Sequence, residues 1–286
     1  MNPEDKTVFD QARWPREIAR GIWWLGGCNA TDAFGGGLVH VHVSPYLIVG
    51  ESSTLLVDAG LPAHWGQLAK RLDEVLGDRS LDWCVPTHYE VAHAGNLRRL
   101  LDRYPDLRVA GDIRDYHLMF PNLMDRFIAM GSGSKLDLGG AFEFVILPAP
   151  IKDLPSTIWG YESSQRVLFP ADAFSFAHHP PLDAGDDVED ESALAYHLPG
   201  ECAKLSSELE VAPSVDQAAF LTKSALYWTQ YTPVEPFFAE VFKLLERYPA
   251  QILAPTHGNV IDDLAGILPT VLEAHRLAYT APRRLR

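Results

Sequence analysis

The chain has 286 residues, of which 47% are hydrophobic and 22% are charged, so it can bury the core of one large or two small domains. Its formal net charge of -14 argues against nucleic acid or an anionic membrane surface as a partner. The three cysteines, Cys28, Cys84 and Cys202, are far apart and form no Cys-x-x-Cys pair. We therefore expect neither a disulfide framework nor a thiolate zinc site, and a reducing compartment fits.

The beginning of the chain is polar. Residues 1–6 lack the apolar region of a signal peptide, and no apolar run in the sequence is long enough to span a bilayer. The expected location is therefore the cytoplasm. We expect residues 1–16 to form an N-terminal extension and residues 17–286 to form one domain.

Short apolar runs predict the strands of the first half of the chain. Glycine-rich residues 26–38 are predicted to be a loop between the first two strands. The predicted strands are 18–25, 39–43, 46–49, 54–57, 83–85 and 107–111, and the predicted helices are 63–76, 97–104 and 112–120.

Two histidines alternate with valines in residues 39–43, which places His40 and His42 on one face of a strand. Such a pair could bind a metal. We favour a polar strand face near the rim of a pocket, because no other donor group accompanies the pair in the sequence.

The second half of the chain combines strands with a helical region. Residues 122–138 are expected to be irregular, and the acidic stretch 183–191 is expected to be a solvated loop. His178 and His179 could face a pocket, although a surface turn is favoured. The predicted strands are 142–147, 156–161, 166–169 and 251–254, and the predicted helices are 216–247, broken at residues 232–233, and 261–279.

The stretch 86–96 contains the strongest chemical signal. His88, Glu90 and His93 lie on a predicted strand-to-helix loop, where a scaffold can hold metal ligands rigidly. Nitrogen and oxygen donors packed so closely are costly to bury without a cation between them. The spacing therefore indicates a metal site.

This stretch resembles the Thr-His-x-His-x-Asp-His-x-Gly-Asn signature of the metallo-β-lactamase superfamily. Glu90 replaces the middle histidine, as in the flavodiiron branch, whose metals are iron, and Ala92 stands where an aspartate is usual. The resemblance covers about residues 17–280. It implies an α/β fold, an αβ/βα sandwich of two mixed sheets flanked by helices.

The resemblance also implies further ligands. Asp153 takes the place of an iron-binding histidine, in a frame kept by Pro155 and Thr157, although a loop aspartate without a metal role is the alternative. Asp172 matches the aspartate that bridges the two metals. In residues 255–258, His257 matches the final ligand.

One metal would then be held by His88, Glu90 and Asp153, and the other by His93 and His257, with Asp172 between them. Asp58 matches a carboxylate that supports the site from behind the ligands. It could also cap the helix predicted at residues 63–76.

The implied function is a non-haem di-iron protein that binds or activates O2 or NO, either as a sensor or as an oxidoreductase. A di-iron oxygenase acting on an organic substrate is a variant. Manganese and zinc are alternatives to iron. The chain contains no flavodoxin-like region and no Cys-x-x-Cys pair for rubredoxin iron, so electrons would come from a partner protein. We also expect a homo-oligomer, a dimer.

Two other functions remain open on the sequence. One is a metal-dependent hydrolase of esters, lactones or phosphoesters, against which Glu90 and Ala92 count. In hydrolases of the superfamily the aspartate at position 92 helps to hold the second metal and a nucleophilic water. The other is a non-enzymatic descendant whose site is structural.

Overall fold

The computed structural model describes residues 14–32, 38–177 and 202–280. Residues 1–13 of the expected extension, His178, His179 and the acidic stretch 183–191 lie outside the described residues. The strands are β1 Arg16–Ala19, β2 Ile22–Trp24, β3 Cys28–Asp32, β4 Leu38–His42, β5 Tyr46–Val49, β6 Thr54–Val57, β7 Trp83–Val85, β8 Arg108–Gly111, β9 Phe127–Ala129, β10 Lys135–Gly139, β11 Phe142–Pro148, β12 Ile158–Glu162, β13 Val167–Phe169 and β14 Ile252–Leu253. The α-helices are α1 Trp65–Leu76, α2 Val91–Ala94, α3 Leu97–Arg103, α4 Tyr116–Met119, α5 Val215–Ser224, α6 Glu235–Arg247 and α7 Leu264–Thr280.

The first sheet has the strand order β1-β2-β5-β6-β7-β8-β9. Its first four strands are antiparallel, and the strands from β6 to β9 are parallel. The predicted hairpin of residues 46–49 and 54–57 is confirmed. The prediction of one strand over residues 18–25 is wrong, because the chain reverses at Gly21, where φ is +71°. Glycine adopts this left-handed conformation without a Cβ clash.

The second sheet has the strand order β10-β11-β12-β13-β14. Its first four strands form antiparallel pairs, which confirms the predicted hairpin of residues 156–161 and 166–169, and β14 then runs parallel to β13. The prediction that residues 122–138 are irregular is wrong, since β9 and β10 both lie there. Their polar and glycine-rich connection, residues 131–134, obscured these short strands in the sequence.

A separate two-stranded sheet pairs β3 with β4. The strand predicted from the alternating valines and histidines is confirmed. The glycine-rich stretch 26–38 was expected to be a loop, but it contributes β3, because Cys28–Asp32 gain backbone partners from β4. Cys28 lies directly opposite His42 in this pair.

The two large sheets pack face to face with helices on their outer surfaces. Side chains between the sheets include Trp24 and Ile48 from the first sheet and Phe144 and Phe169 from the second. Two further apolar clusters lie under α1 and α3 on one outer face and under α5, α6 and α7 on the other. These four layers confirm the predicted αβ/βα sandwich.

The helices follow the predicted apolar periodicity with some shortening. α1 begins at Trp65 after a 3-10 turn, and α4 covers only four residues of the predicted 112–120 helix. The predicted helix 216–247 is broken before residue 235, as expected from Pro233. At the chain's beginning, Trp14 is buried against Trp24, so packing starts two residues before β1. Among the described helices, none combines the length and the apolar character that a membrane span requires.

Candidate metal centre

The predicted donors follow the ends of strands from both large sheets. His88, Glu90 and His93 lie in the connection from β7 to α3, and Asp153 follows β11. Asp172 follows β13 and His257 follows β14, and these two strands are parallel. Because the carboxyl ends of parallel strands meet at one edge of a sheet, sequence-distant donors converge there.

Asp172 lies between His88 on one side and His93 and His257 on the other. Its Oδ2 is 3.6 Å from Nε2 of His88. Its Oδ1 is 3.3 Å from Nε2 of His93 and 3.1 Å from Nε2 of His257. The two carboxylate oxygens therefore face different imidazoles, as a carboxylate that bridges two metal ions must do.

Two more carboxylates surround His88. Nε2 of His88 is 3.2 Å from Oδ2 of Asp153 and 3.9 Å from Oε2 of Glu90. The side chain of Asp153 is 6% exposed, whereas that of Glu90 is 55% exposed. The structure thus brings all six predicted donors into one cluster, which opens to solvent on the Glu90 side.

Asp58 lies behind His93. Its Oδ1 accepts hydrogen bonds from the backbone N–H and the hydroxyl of Thr87, and its Oδ2 accepts one from the hydroxyl of Thr256. Nδ1 of His93 donates to Oδ2 of Asp58 across 2.9 Å. The alternative role of Asp58 as a helix cap is wrong, since α1 starts at Trp65 without a side-chain cap.

His257 and Asp153 also have partners outside the cluster. Nδ1 of His257 donates to the main-chain carbonyl of His42 across 2.7 Å. Oδ1 of Asp153 accepts from the hydroxyl of Thr157 at the same distance. Sequence reasoning missed the roles of Thr256 and of the His42 carbonyl. Thr256 directly precedes His257 and gave a local signal, whereas a backbone carbonyl gives none.

These outer contacts define which nitrogens face inward. In their neutral forms, His93 and His257 carry hydrogen on Nδ1, because each Nδ1 donates to an oxygen. Their Nε2 lone pairs then point toward Oδ1 of Asp172, which is itself an acceptor. Metal-binding histidines in proteins usually donate their other N–H to a carboxylate or carbonyl in this way.

Several buried atoms of the cluster have no hydrogen-bond partner among the described residues. They include Nε2 of His88, Nε2 of His93 and Oδ1 of Asp172. Unpaired buried acceptors are costly, and a cation between them removes the cost. The donor set therefore fits metal ions.

The electrostatics of the cluster point the same way. Burial lowers the pKa of His88 from 6.5 to about 3, so its imidazole is in the neutral form that binds metals. Burial, followed by the charge of Asp172, raises the pKa of Asp153. Burial opposes the ionisation of Asp172, but His93 and His257 outweigh it and hold the pKa of Asp172 well below its usual range.

At His93, a metal ion and a proton would compete for the same ring nitrogen, Nε2. Burial opposes its protonation, but the carboxylates of Asp58 and Asp172 outweigh that effect and raise the pKa of His93 well above its usual range. The two carboxylates thus favour a positive charge at this point, and a metal ion beside Nε2 supplies it.

His40 and His42 do not lie on a pocket rim. Both are fully buried, and the expectation that no donor accompanies them is wrong. The fold brings Cys28 and Cys202, which are far apart in the sequence, to His42. The pairing of β3 with β4 places Cys28 beside His42, and the fold brings Cys202 to the same place. The spacing of these residues along the sequence does not show this second cluster.

Comparison with known proteins identifies relatives that are oxidoreductases by name. The chain is 26% identical over 267 residues to coenzyme F420H(2) oxidase of Methanothermobacter marburgensis, an alignment that covers 87% of this chain and 58% of the relative. It is 26% identical over 196 residues to nitric oxide reductase of Moorella thermoacetica, covering 64% of this chain and 48% of the relative. The chain therefore spans about half the length of these relatives.

A solved structure of an oxidoreductase has a similar fold. Rubredoxin oxygen:oxidoreductase from Desulfovibrio gigas superposes with a TM-score of 0.67 at 17% sequence identity, covering 93% of this chain and 62% of that one. The predicted resemblance to the flavodiiron branch is thereby confirmed. The family model of the metallo-beta-lactamase superfamily matches residues 39–201, more than half of the sequence. By fold, relatives and family match together, the chain belongs to the metallo-β-lactamase superfamily.

Proposed function

We propose that this protein holds two iron ions at the candidate metal centre and uses them to bind and reduce O2 or NO. The observation that carries the proposal is the position of Asp172, whose Oδ2 faces His88 and whose Oδ1 faces His93 and His257. Such an arrangement serves two ions that share one carboxylate, and a single ion does not require it.

The donors divide into two sets around Asp172. His88, Glu90 and Asp153 would hold one ion, in agreement with their donor atoms lying within 4.8 Å of one another. His93 and His257 would hold the other. With Ala92 in place of the usual aspartate, the second ion would have fewer protein ligands and would keep positions for a small molecule.

The chemistry of the donors supports iron. Imidazoles and carboxylates without a thiolate suit iron and manganese at least as well as zinc. Iron held by these donors would pass electrons from a donor protein to O2 or NO. Reduction of one O2 to two waters consumes four electrons and four protons, and reduction of two NO to N2O and water consumes two of each.

The residues around the ions have separate tasks. Asp58 and the His42 carbonyl hold His93 and His257 in the tautomer that directs Nε2 to a metal. Thr157 holds Asp153. The half-exposed Glu90 lies on the solvent side, where a small molecule and protons can enter. The buried donors on the other side of the cluster have little contact with solvent water.

Electrons would come from a partner protein. The relatives are named coenzyme F420H(2) oxidase, nitric oxide reductase and rubredoxin oxygen:oxidoreductase. All three are longer than this chain. We propose that this partner carries a flavin or an iron centre, that the protein acts in the cytoplasm and that it forms a dimer. The hydrolase alternative is not favoured, since no named relative above is a hydrolase.

The experiment begins with anaerobic purification from cells supplied with iron. Elemental analysis is expected to find about two iron ions per chain. The chemically reduced protein is then mixed with O2 or NO, and gas consumption is recorded with an electrode beside the visible spectrum. Zinc in place of the two iron ions, together with cleavage of ester or lactone substrates, would reject the proposal. Less than one metal ion per chain and no reaction with either gas would assign the site a structural role.

A further inference from the structure

A second cluster of metal-type donors lies outside the candidate metal centre. The donor atoms of Cys28, His42 and Cys202 all lie within 4.8 Å of one another. All three residues are buried, with exposed fractions of 4%, 0% and 0%. Thiolates and imidazoles gathered in a protein interior are the ligands that zinc prefers.

The register of the two-stranded sheet produces this cluster. Cys28 and His42 are direct partners in the antiparallel pair β3–β4, so their side chains project from the same face. His40 lies two residues earlier on that face. Its Nδ1 is 3.9 Å from Sγ of Cys202, which places a fourth donor beside that cysteine.

The hydrogen bond of His42 defines its coordinating nitrogen. Nε2 of His42 lies 2.7 Å from the main-chain carbonyl of Cys202. A carbonyl only accepts, so Nε2 carries the hydrogen and Nδ1 of the neutral ring carries the lone pair. A ligand that donates its second ring N–H to a carbonyl is the usual arrangement of histidine at a metal.

We propose that Cys28, His42, Cys202 and His40 bind one structural zinc ion. Tetrahedral zinc with bonds of about 2.0–2.3 Å separates its ligand atoms by about 3.3–3.8 Å. Cys28, His42 and Cys202 therefore need only a small contraction, and His40 would approach from its place beside Cys202. The ion ties the β3–β4 pair to the segment that begins at Cys202. Through the His42 carbonyl, which holds His257, it also braces a residue of the candidate metal centre.

Cobalt gives a selective test, because the candidate metal centre contains only nitrogen and oxygen donors. The full-length, reduced protein is loaded with Co2+ without oxygen, and its absorption spectrum is recorded. The expected result is a thiolate-to-cobalt charge-transfer band together with the intense visible bands of tetrahedral cobalt. Asp172→Ala should keep both features, so the result is independent of the chemistry at the other centre.

Cysteine variants assign the band. Cys28→Ser and Cys202→Ser are expected to abolish it. Cys84→Ala is the matched control, because Cys84 is equally buried but belongs to the core on the outer face of the first sheet. No thiolate band in the wild-type protein, or a band that survives in both serine variants, would overturn the proposal.

A second measurement applies if the serine variants fail to fold. X-ray absorption at the zinc edge of the wild-type protein should show two sulfur neighbours at about 2.3 Å and nitrogen neighbours at about 2.0 Å. A zinc shell made only of nitrogen and oxygen would reject the site. A Cys28–Cys202 disulfide recovered from protein purified under reducing conditions with zinc would reject it as well.

Discussion

The main-chain carbonyl of His42 accepts a hydrogen bond of 2.7 Å from Nδ1 of His257. This contact joins the two-stranded sheet to the loop that carries the last donor of the candidate metal centre. Because a backbone carbonyl holds the ring, the orientation of His257 depends on the position of β4. His42 therefore connects the candidate metal centre to the second cluster of metal-type donors.

The bridging position of Asp172 predicts the effect of removing its carboxylate. Asp172→Ala should lower the iron content from about two ions per chain to nearly none, since both ions lose a shared ligand. Elemental analysis of protein purified with iron measures this. Asp106→Ala, which changes an exposed aspartate, should retain full iron content. Full iron content in the Asp172 variant would show that Asp172 is not the bridge.

Asp58 is expected to act on metal affinity without contacting a metal. Asp58→Asn preserves the shape, and asparagine tolerates the φ of 60° at this position. Its amide cannot accept from His93, Thr87 and Thr256 as the carboxylate does, so affinity for the second ion should fall about 10–100-fold. Competition with a chelator measures the affinity.

Asp82→Asn provides the control for this experiment. Asp82 also accepts hydrogen bonds within the fold, from the backbone N–H and the hydroxyl of Thr54, but it lies at the opposite end of β6 from Asp58. It should change stability without changing metal affinity. Equal affinities of the Asp58 variant and the wild-type protein, with the fold intact, would contradict the role of Asp58.

Gly160 allows close packing between two strands of the second sheet. A Cβ at this position would lie 2.2 Å from the ring of Phe144 in the adjacent β11. Gly160→Ala should therefore lower the free energy of unfolding by about 1–3 kcal/mol. Urea unfolding measures this value. Gly66→Ala in α1, where no atom lies within 4 Å of the added Cβ, should be neutral or slightly stabilising. Equal losses in the two variants would contradict the packing argument.

His275 predicts a loss of stability in mild acid. Burial in α7, against Phe238, lowers its pKa from 6.5 to about 4. Between these pH values the unfolded chain binds a proton that the folded protein does not bind. The stability contributed by the neutral ring is therefore complete above pH 6.5 and is lost as the pH falls toward 4, by on the order of 3 kcal/mol.

His275→Leu should reduce this dependence. The free energy of unfolding is measured by urea from pH 7 to pH 4.5, and the wild-type protein should lose more stability than the variant does. His117→Gln, which changes an exposed histidine, should follow the wild-type curve. Parallel curves for wild type and the His275 variant would exclude His275 as the source of acid lability.

The predictions from sequence succeeded where the signal was local. The apolar runs of β5 and β6 matched to the residue, because a short apolar run on each side of a polar turn depends only on neighbours in the chain. The spacing of His88, Glu90 and His93 on one short loop similarly indicated a metal site before any fold was known. The final donors, Asp172 and His257, each lie a few residues after the end of a short strand.

Other features depended on contacts between distant segments. The strand β3 lies in a glycine-rich stretch with no strand pattern of its own, and it exists because β4 supplies its hydrogen bonds. The partners of Asp58 come from two separate connections, one after β7 and one after β14, so sequence reasoning could not exclude a capping role for it.

The sequence by itself determined the layered fold, because local periodicity predicts most of its strands and helices. It also determined which donor side chains are available, because residue chemistry identifies them. Only the tertiary structure decided which donors meet. Asp172 meets His88, His93 and His257 because the ends of distant strands converge at one edge, and Cys28 lies near Cys202 because strand register and packing bring them together. Proximity in space arises from packing and pairing between distant segments, which the order of residues along the chain does not display.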